Sequence, residues 1–137
     1  MRLVVDTGVF SAAISPRRRA SFDDLISALA GNQLLLTAQT VAELRFGVLV
    51  AKWGEPRRGR LEAAIATTTV IPVTDALITQ VAALRHACQI EGHPLANSAH
   101  ANDLWIEAST MHVRARLVTA DRVFEDVPGL QRLVAPQ

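Results

Sequence analysis

Apolar residues in this chain alternate between short unbroken runs and longer helical stripes. Leu3-Val4-Val5 is unbroken, the signature of a strand buried on both faces of a parallel sheet. The run ends at Asp6, and Thr7-Gly8 turns the chain into a short apolar helix over Val9 to Ile14. Pro16 and three arginines follow as a polar turn. Ser21 is placed to cap a helix through Ala30, with Asp23 and Asp24 in its first turn and Gly31-Asn32 as its stop. Gln33 to Thr37 reads as a second short buried strand. A long helix is expected from Thr40 to Trp53, ended by Gly54 and Pro56, and another from Pro56 to Thr67. Thr68 to Val73 is β-branched and carries Pro72, which predicts a strand end or a sheet edge. Thr74 caps a helix through Glu91, stopped by Gly92 and Pro94, and Ser98 opens another to Val113. Arg116 to Thr119 reads as a fourth strand, Asp121 to Asp126 as a short helical turn, and Leu130 to Val134 as a last strand. Strands alternating with helices predict an α/β fold, a parallel sheet covered by helices on both faces.

Composition narrows this picture. The 137 residues suit one domain, 1–137, with a real core, and 50% hydrophobic with 20% charged residues is a globular balance. A net charge of +1 points by itself to neither nucleic acid nor membrane. The single cysteine, Cys88, cannot form an internal disulfide and falls in line with Val81 and Leu84 as core filler. Asp6 interrupts the N-terminus before a signal-peptide apolar region can form, and no apolar run approaches membrane-spanning length. The expectation is a soluble, cytoplasmic protein with no membrane partner.

The chemistry is carried by acids set within apolar elements. Asp6 and Asp121 each follow a strand end, where open α/β sheets place their ligand crevice. Glu43 lies in Thr40-Val-Ala-Glu-Leu-Arg-Phe-Gly-Val-Leu49, and the nearest base, Arg45, is two residues away and faces elsewhere. Asp103 lies in Ala101-Asn-Asp-Leu-Trp-Ile-Glu-Ala108, with Glu107 one turn further on the same face. Each acid alone has an ordinary explanation as a helix cap or a helix-dipole carboxylate. Together they would crowd the carboxyl edge of one sheet and repel one another unless a cation sat between them. Oxygen ligands without cysteine or histidine suit Mg²⁺ or Mn²⁺, ions that serve phosphodiester hydrolysis.

Val4-Val-Asp-Thr-Gly-Val-Phe10, Val41-Ala-Glu-Leu-Arg-Phe-Gly47, His100-Ala-Asn-Asp-Leu-Trp-Ile-Glu-Ala108 and Leu117-Val-Thr-Ala-Asp-Arg-Val-Phe124 occur in an order and spacing that resembles a PIN domain. More narrowly, the chain resembles the ribonuclease toxins of VapBC toxin–antitoxin pairs, over essentially its whole length. The resemblance implies a three-layer α/β/α fold with a central, mainly parallel sheet. It implies a Mg²⁺-dependent (Mn²⁺ is the alternative) endoribonuclease whose acidic, metal-holding site is Asp6, Glu43, Asp103 and Asp121. Thr119 would orient Asp121 or a metal-bound water. It also implies an RNA substrate, a homodimer, and an antitoxin that covers the toxin. Two positions depart from the family pattern. Gly8 replaces the usual serine or asparagine beside Asp6, and Glu107 stands where alanine is more usual.

Rival readings fare worse. A phosphorelay receiver needs a lysine at a late strand end, and the one lysine, Lys52, lies on a helix. An aspartyl phosphatase wants an aspartate at position 8, which is glycine. No dinucleotide fingerprint or P-loop is present. His100 and His112 are too far apart on one helix for a shared zinc. A metal-free ribonuclease using two histidines, and a catalytically silent RNA-binding or protein-interaction module, remain as alternatives. Arg17, Arg18 and Arg19 follow the helix that leaves Asp6 and are candidates for contacting RNA phosphates. On the helix from Thr40, Val41, Leu44 and Val48 form one stripe, while Phe46, Leu49, Val50 and Trp53 spread beyond what one core can bury. That surplus implies a partner surface.

Overall fold

The computed structural model describes residues 1–15 and 22–127, and the backbone of residues 132–133. Among the described residues, five parallel strands form one sheet in the order β3-β2-β1-β4-β5. They are β1 (Arg2–Val5), β2 (Gln33–Thr37), β3 (Thr69–Ile71), β4 (Arg116–Val118) and β5 (Arg132–Leu133). The helices are α1 (Thr7–Ile14), α2 (Asp23–Leu29), α3 (Ala38–Ala51), α4 (Glu55–Ala66), α5 (Asp75–Glu91) and α6 (Ala101–His112).

β1 lies between β2 and β4, with Val4 opposite both Leu35 and Leu117. Strand side chains alternate between faces, so the unbroken apolar run of β1 feeds two cores at once. Leu3, Val5, Leu36 and Val118 point to one face, where they pack with Val9 and Phe10 of α1, Leu25 of α2, Val41, Leu44 and Val48 of α3, and Leu61 of α4. Val4, Leu35, Ile71 and Leu117 point to the other, against Ile106 of α6 and Phe124. Leu77, Val81, Leu84 and Cys88 of α5 close over α6 through Leu104 and Ala108. The result is the expected α/β/α sandwich, and Cys88 is core filler in it. Among the described residues no helix is long and apolar enough to cross a membrane.

Element ends show where local chemistry differs from the pattern. α3 begins at Ala38 rather than Thr40, because the Thr37 hydroxyl at the end of β2 accepts the Thr40 amide and caps the helix. It ends at Ala51 because Lys52 turns left-handed (φ 53°), its amide and that of Trp53 bonding back to the last turn. Phe22, without a side-chain cap, occupies the N-cap position of α2, and the expected cap Ser21 lies outside the described residues. Ser98 starts a single 3₁₀ turn, after which α6 proper begins at Ala101. Thr74 and Gly92 bound α5 as expected.

Candidate active site

The strand order reverses direction at β1, and the carboxyl ends of β1, β2 and β4 open onto a common crevice there. A cleft of about 330 Å³ occupies it, lined by Asp6, Thr7, Gly8, Phe22, Glu43, Asp103, Ile106, Ala120 and Asp121. All four acids singled out in the sequence therefore meet in one place, from four separate stretches of chain.

Asp6 is the most enclosed, at 8% exposure. Its Oδ1 accepts the Val9 amide at 2.9 Å and so caps α1. Its Oδ2 accepts the Thr119 hydroxyl from the end of β4. The same Thr119 oxygen accepts the Asp121 amide at 3.0 Å, and Asp121 Oδ1 accepts the Val123 amide, capping the turn Arg122–Phe124. Thr119 thus ties β1 to the loop after β4. Glu43 projects from the second turn of α3, half-buried, and lines the cleft beside Thr7. Asp103 stands in the first turn of α6, with His100 Nδ1 3.4 Å from its Oδ2.

Burial pushes the carboxyl of Asp6 above its ordinary range, against the Thr119 and Val9 hydrogen bonds, with Asp121 and Asp103 adding repulsion. Burial likewise raises Glu43, helped by the charges of Asp103 and Asp6 and opposed by Thr7. Asp103 is raised by burial and then by Asp121, against His100. Mutual repulsion is thus present, as the sequence implied, but desolvation is the larger cause in all three.

The donor set fits a hard divalent cation. It is all carboxylate, and each Asp6 oxygen keeps a lone-pair direction beyond the bond it already accepts. Among the described residues no three acid, histidine or cysteine side chains stand together closely enough to hold a metal ion by themselves. An open set of carboxylates suits Mg²⁺, which keeps several waters and shares its remaining positions with phosphate oxygens.

The PIN domain family model matches residues 3–130. The chain belongs to the PIN-domain family. Ribonuclease VapC5 of Mycobacterium tuberculosis is 33% identical to it over 128 residues, covering 92% of this chain and 87% of that protein. Among solved structures, a chain of the VapBC-5 toxin–antitoxin structure from the same organism is 28% identical, with a TM-score of 0.68 and coverage of 99% and 98%. A chain of VapBC2 from Rickettsia felis, solved bound to a promoter DNA fragment, superposes with a TM-score of 0.80 at 23% identity, covering 99% of this chain and all of that one.

Gly8 is exposed, and a Cβ there would meet Asp6 Oδ1 at 3.8 Å, an ordinary contact, so a serine would fit. Glu107 does not join the acids despite sharing a face with Asp103. It is fully buried, both carboxyl oxygens lack a hydrogen-bond partner, and burial pushes its pKa up to about 8. Arg45 pairs with Glu62 at 2.8 Å rather than with Glu43. Arg17, Arg18 and Arg19 lie outside the described residues. Sequence reasoning missed Thr7, Thr40 and His100 as neighbours of the acids, although Thr40 precedes Glu43 by one helical turn and His100 precedes Asp103 by one.

Proposed function

We propose that this PIN domain is a VapC-type toxin, a Mg²⁺-dependent endoribonuclease that hydrolyses RNA phosphodiester bonds in the cytoplasm and is restrained by a cognate antitoxin. The observation that carries this reading is the cleft at the β1 switch point. Asp6, Glu43, Asp103 and Asp121 all line it, three of them with carboxyl groups pushed upward, and none of the residues lining it is basic. Such a group is stabilised by a cation, and the kinship to a named ribonuclease supports RNA as the substrate.

Asp6 and Asp103 would hold the ion, with Glu43 and Asp121 completing the acidic wall. A bound Mg²⁺ or Mn²⁺ would make water a stronger nucleophile towards phosphorus and offset the negative charge that develops there. Thr119 fixes the Asp6 carboxylate and the Asp121 backbone relative to each other. Phe22 and Ile106 wall the cleft with apolar surface and limit bulk water.

The antitoxin reading rests on the VapBC relatives and on a groove that shares Thr7 and Glu43 with the acidic cleft. Ile14, Leu44, Val48, Trp53 and Leu61 give that groove an apolar floor between α1, α3 and α4. A segment lying in it would reach the acids directly. Phe46, Leu49 and Val50 form a separate exposed apolar row on α3 suited to a second copy of the chain.

Purified protein incubated with RNA, in Mg²⁺ or in EDTA, tests the activity. Cleavage should require the metal and leave 5′-phosphate and 3′-hydroxyl ends. Cyclic-phosphate ends, or full activity in EDTA, would favour histidine chemistry instead. Intact RNA under all conditions would leave a silent interaction module.

A further inference from the structure

A cleft walled by four acids repels a polyanion, so an RNA strand entering it needs positive charge close by. Among the described residues no base lines the cleft itself. At Thr7 and Glu43 the cleft continues into the groove between α1, α3 and α4, about 260 Å³ in volume, and there Arg57 and Arg60 line the wall. The concavity across Glu43, by Gln39, Phe46 and Asn102, carries no base. Arg57 and Arg60 stand one helical turn apart on α4 and so share a face. Two neighbouring arginines outside the groove are committed to acids, Arg45 to Glu62 at 2.8 Å and Arg58 to Glu55 at 3.8 Å. Among the described residues Arg57 and Arg60 have no acid partner. Arg57 instead lies over the Trp53 ring, 4.0 Å from its centre.

We propose that this groove is the path by which a single RNA strand leaves the cleft: Arg57 and Arg60 bind phosphates flanking the one that is cut, and the apolar floor receives an unpaired base. Cation–π attraction to Trp53 holds the Arg57 guanidinium in place without using its N–H groups, which stay available to two phosphate oxygens. Arg60, one turn further along α4, takes the neighbouring phosphate. Ile14, Leu44 and Val48 supply the floor. A base can lie against such a floor only when it is unpaired, because a duplex keeps its base faces stacked inside. The two arginines thus offset the repulsion of the four acids without placing a base among them, which would compete for the carboxylates. The groove serves the substrate whenever no antitoxin segment occupies it.

This inference rests on reading the cleft as a nuclease site, and its test separates the two. The intact chain is made as parent, as a groove variant (Arg57→Gln with Arg60→Gln), and as a control (Arg45→Gln with Arg58→Gln) that removes the same charge outside the groove. All four arginines are exposed, so every protein should fold, which thermal melts check. Binding of a labelled single-stranded RNA of about 12 nucleotides is followed by anisotropy in Mg²⁺ over about 50 to 200 mM salt. Asp6→Asn is added to every protein for this measurement so that the RNA stays intact, and kcat and KM are measured with Asp6 in place. The groove variant should bind about tenfold more weakly at low salt. Its log affinity should fall less steeply with log salt, by about 1.4, at roughly 0.7 for each phosphate contact on a single strand. KM should rise about tenfold with kcat little changed. The control should keep the parent slope and stay within about twofold of its affinity. Parent-like affinity and slope in the groove variant overturn the proposal and leave the groove to a protein segment. An equal loss in the control overturns it in favour of net charge alone. A parent that binds RNA through the two arginines but cuts none overturns the nuclease reading and leaves the proposal standing. A parent that cuts RNA, with KM unchanged in the groove variant, does the reverse.

Discussion

At the scale of single residues, Asp6 shows how one carboxylate serves fold and chemistry together. Its Oδ1 caps α1 and its Oδ2 accepts Thr119, so the position needs an acceptor whatever the activity requires. Asp6→Asn keeps the capping oxygen and turns an N–H toward Thr119. It should keep stability within about 1 kcal/mol of the parent while abolishing cleavage, whereas Asp6→Ala should lose about 1–2 kcal/mol with the cap. Urea titrations beside cleavage assays distinguish these outcomes, and an active Asp6→Asn enzyme would remove Asp6 from the chemistry. Glu107 presents the opposite case, a carboxyl with no partner at all. Its folded-state pKa of about 8 lies above the unfolded value, so the folded protein holds it neutral at pH 7. The sign follows by linkage. No penalty exists below the unfolded pKa, and stability falls by about 1.4 kcal/mol per pH unit between the two values before levelling off. Glu107→Gln removes this titration with little change of shape. The stability difference, variant minus parent, should therefore grow as pH rises from about 5 to 8, since the other acids titrate alike in both proteins. A difference that stays flat would mean Glu107 has a partner that holds it charged.

At the scale of elements, legibility depended on whether the signal was local. The apolar run of β1, the Thr74 cap and the Gly92 stop each act within a few residues, and the structure places them where the sequence does. The ends of α3 were displaced because Thr37, a strand residue, doubles as its cap, and because Lys52 takes the left-handed position that favours glycine. The surplus apolar surface of α3 was also only partly legible. Phe46, Leu49 and Val50 are 66%, 68% and 64% exposed, but Trp53 is partly buried against the core with Arg57 stacked 4.0 Å over its ring. Leu49→Gln combined with Phe46→Ser should therefore change monomer stability by no more than about 0.5 kcal/mol per site. Self-association measured by sedimentation should weaken at least tenfold. Unchanged association would move the partner surface away from this row.

At the scale of the whole molecule, the site exists only because of strand order. Asp121 reaches Asp6 because β4 pairs with β1, and no local pattern states that pairing; the four motifs in family order supplied it instead. The same topology brings partly buried carboxylates from separate layers against one another, which gives the metal-free fold a characteristic dependence on pH and ions. The carboxyl groups of Asp6, Glu43 and Asp103 are all raised, so their ionised forms are the disfavoured ones. Their penalty is absent only well below the unfolded values, at about pH 3 and lower, where they are protonated folded or unfolded, and it grows as pH rises from there through the folded values. Mg²⁺ binds the ionised forms, so its stabilisation should grow over the same interval. At a hundred times its dissociation constant a ligand specific to the folded state adds about 2.7 kcal/mol, which in a domain of this size raises Tm by roughly 5–10 °C. Thermal melts should thus show little Mg²⁺ effect near pH 4 and the full shift at pH 7.5, and Asp103→Asn should show a smaller shift than the parent. Asp103→Asn should also melt no lower than the parent without metal, because it removes a repelling charge from a desolvated position. If millimolar Mg²⁺ leaves the parent Tm unmoved at pH 7.5, and Asp103→Asn melts well below it, the acids are structural and the cleft is not a metal site.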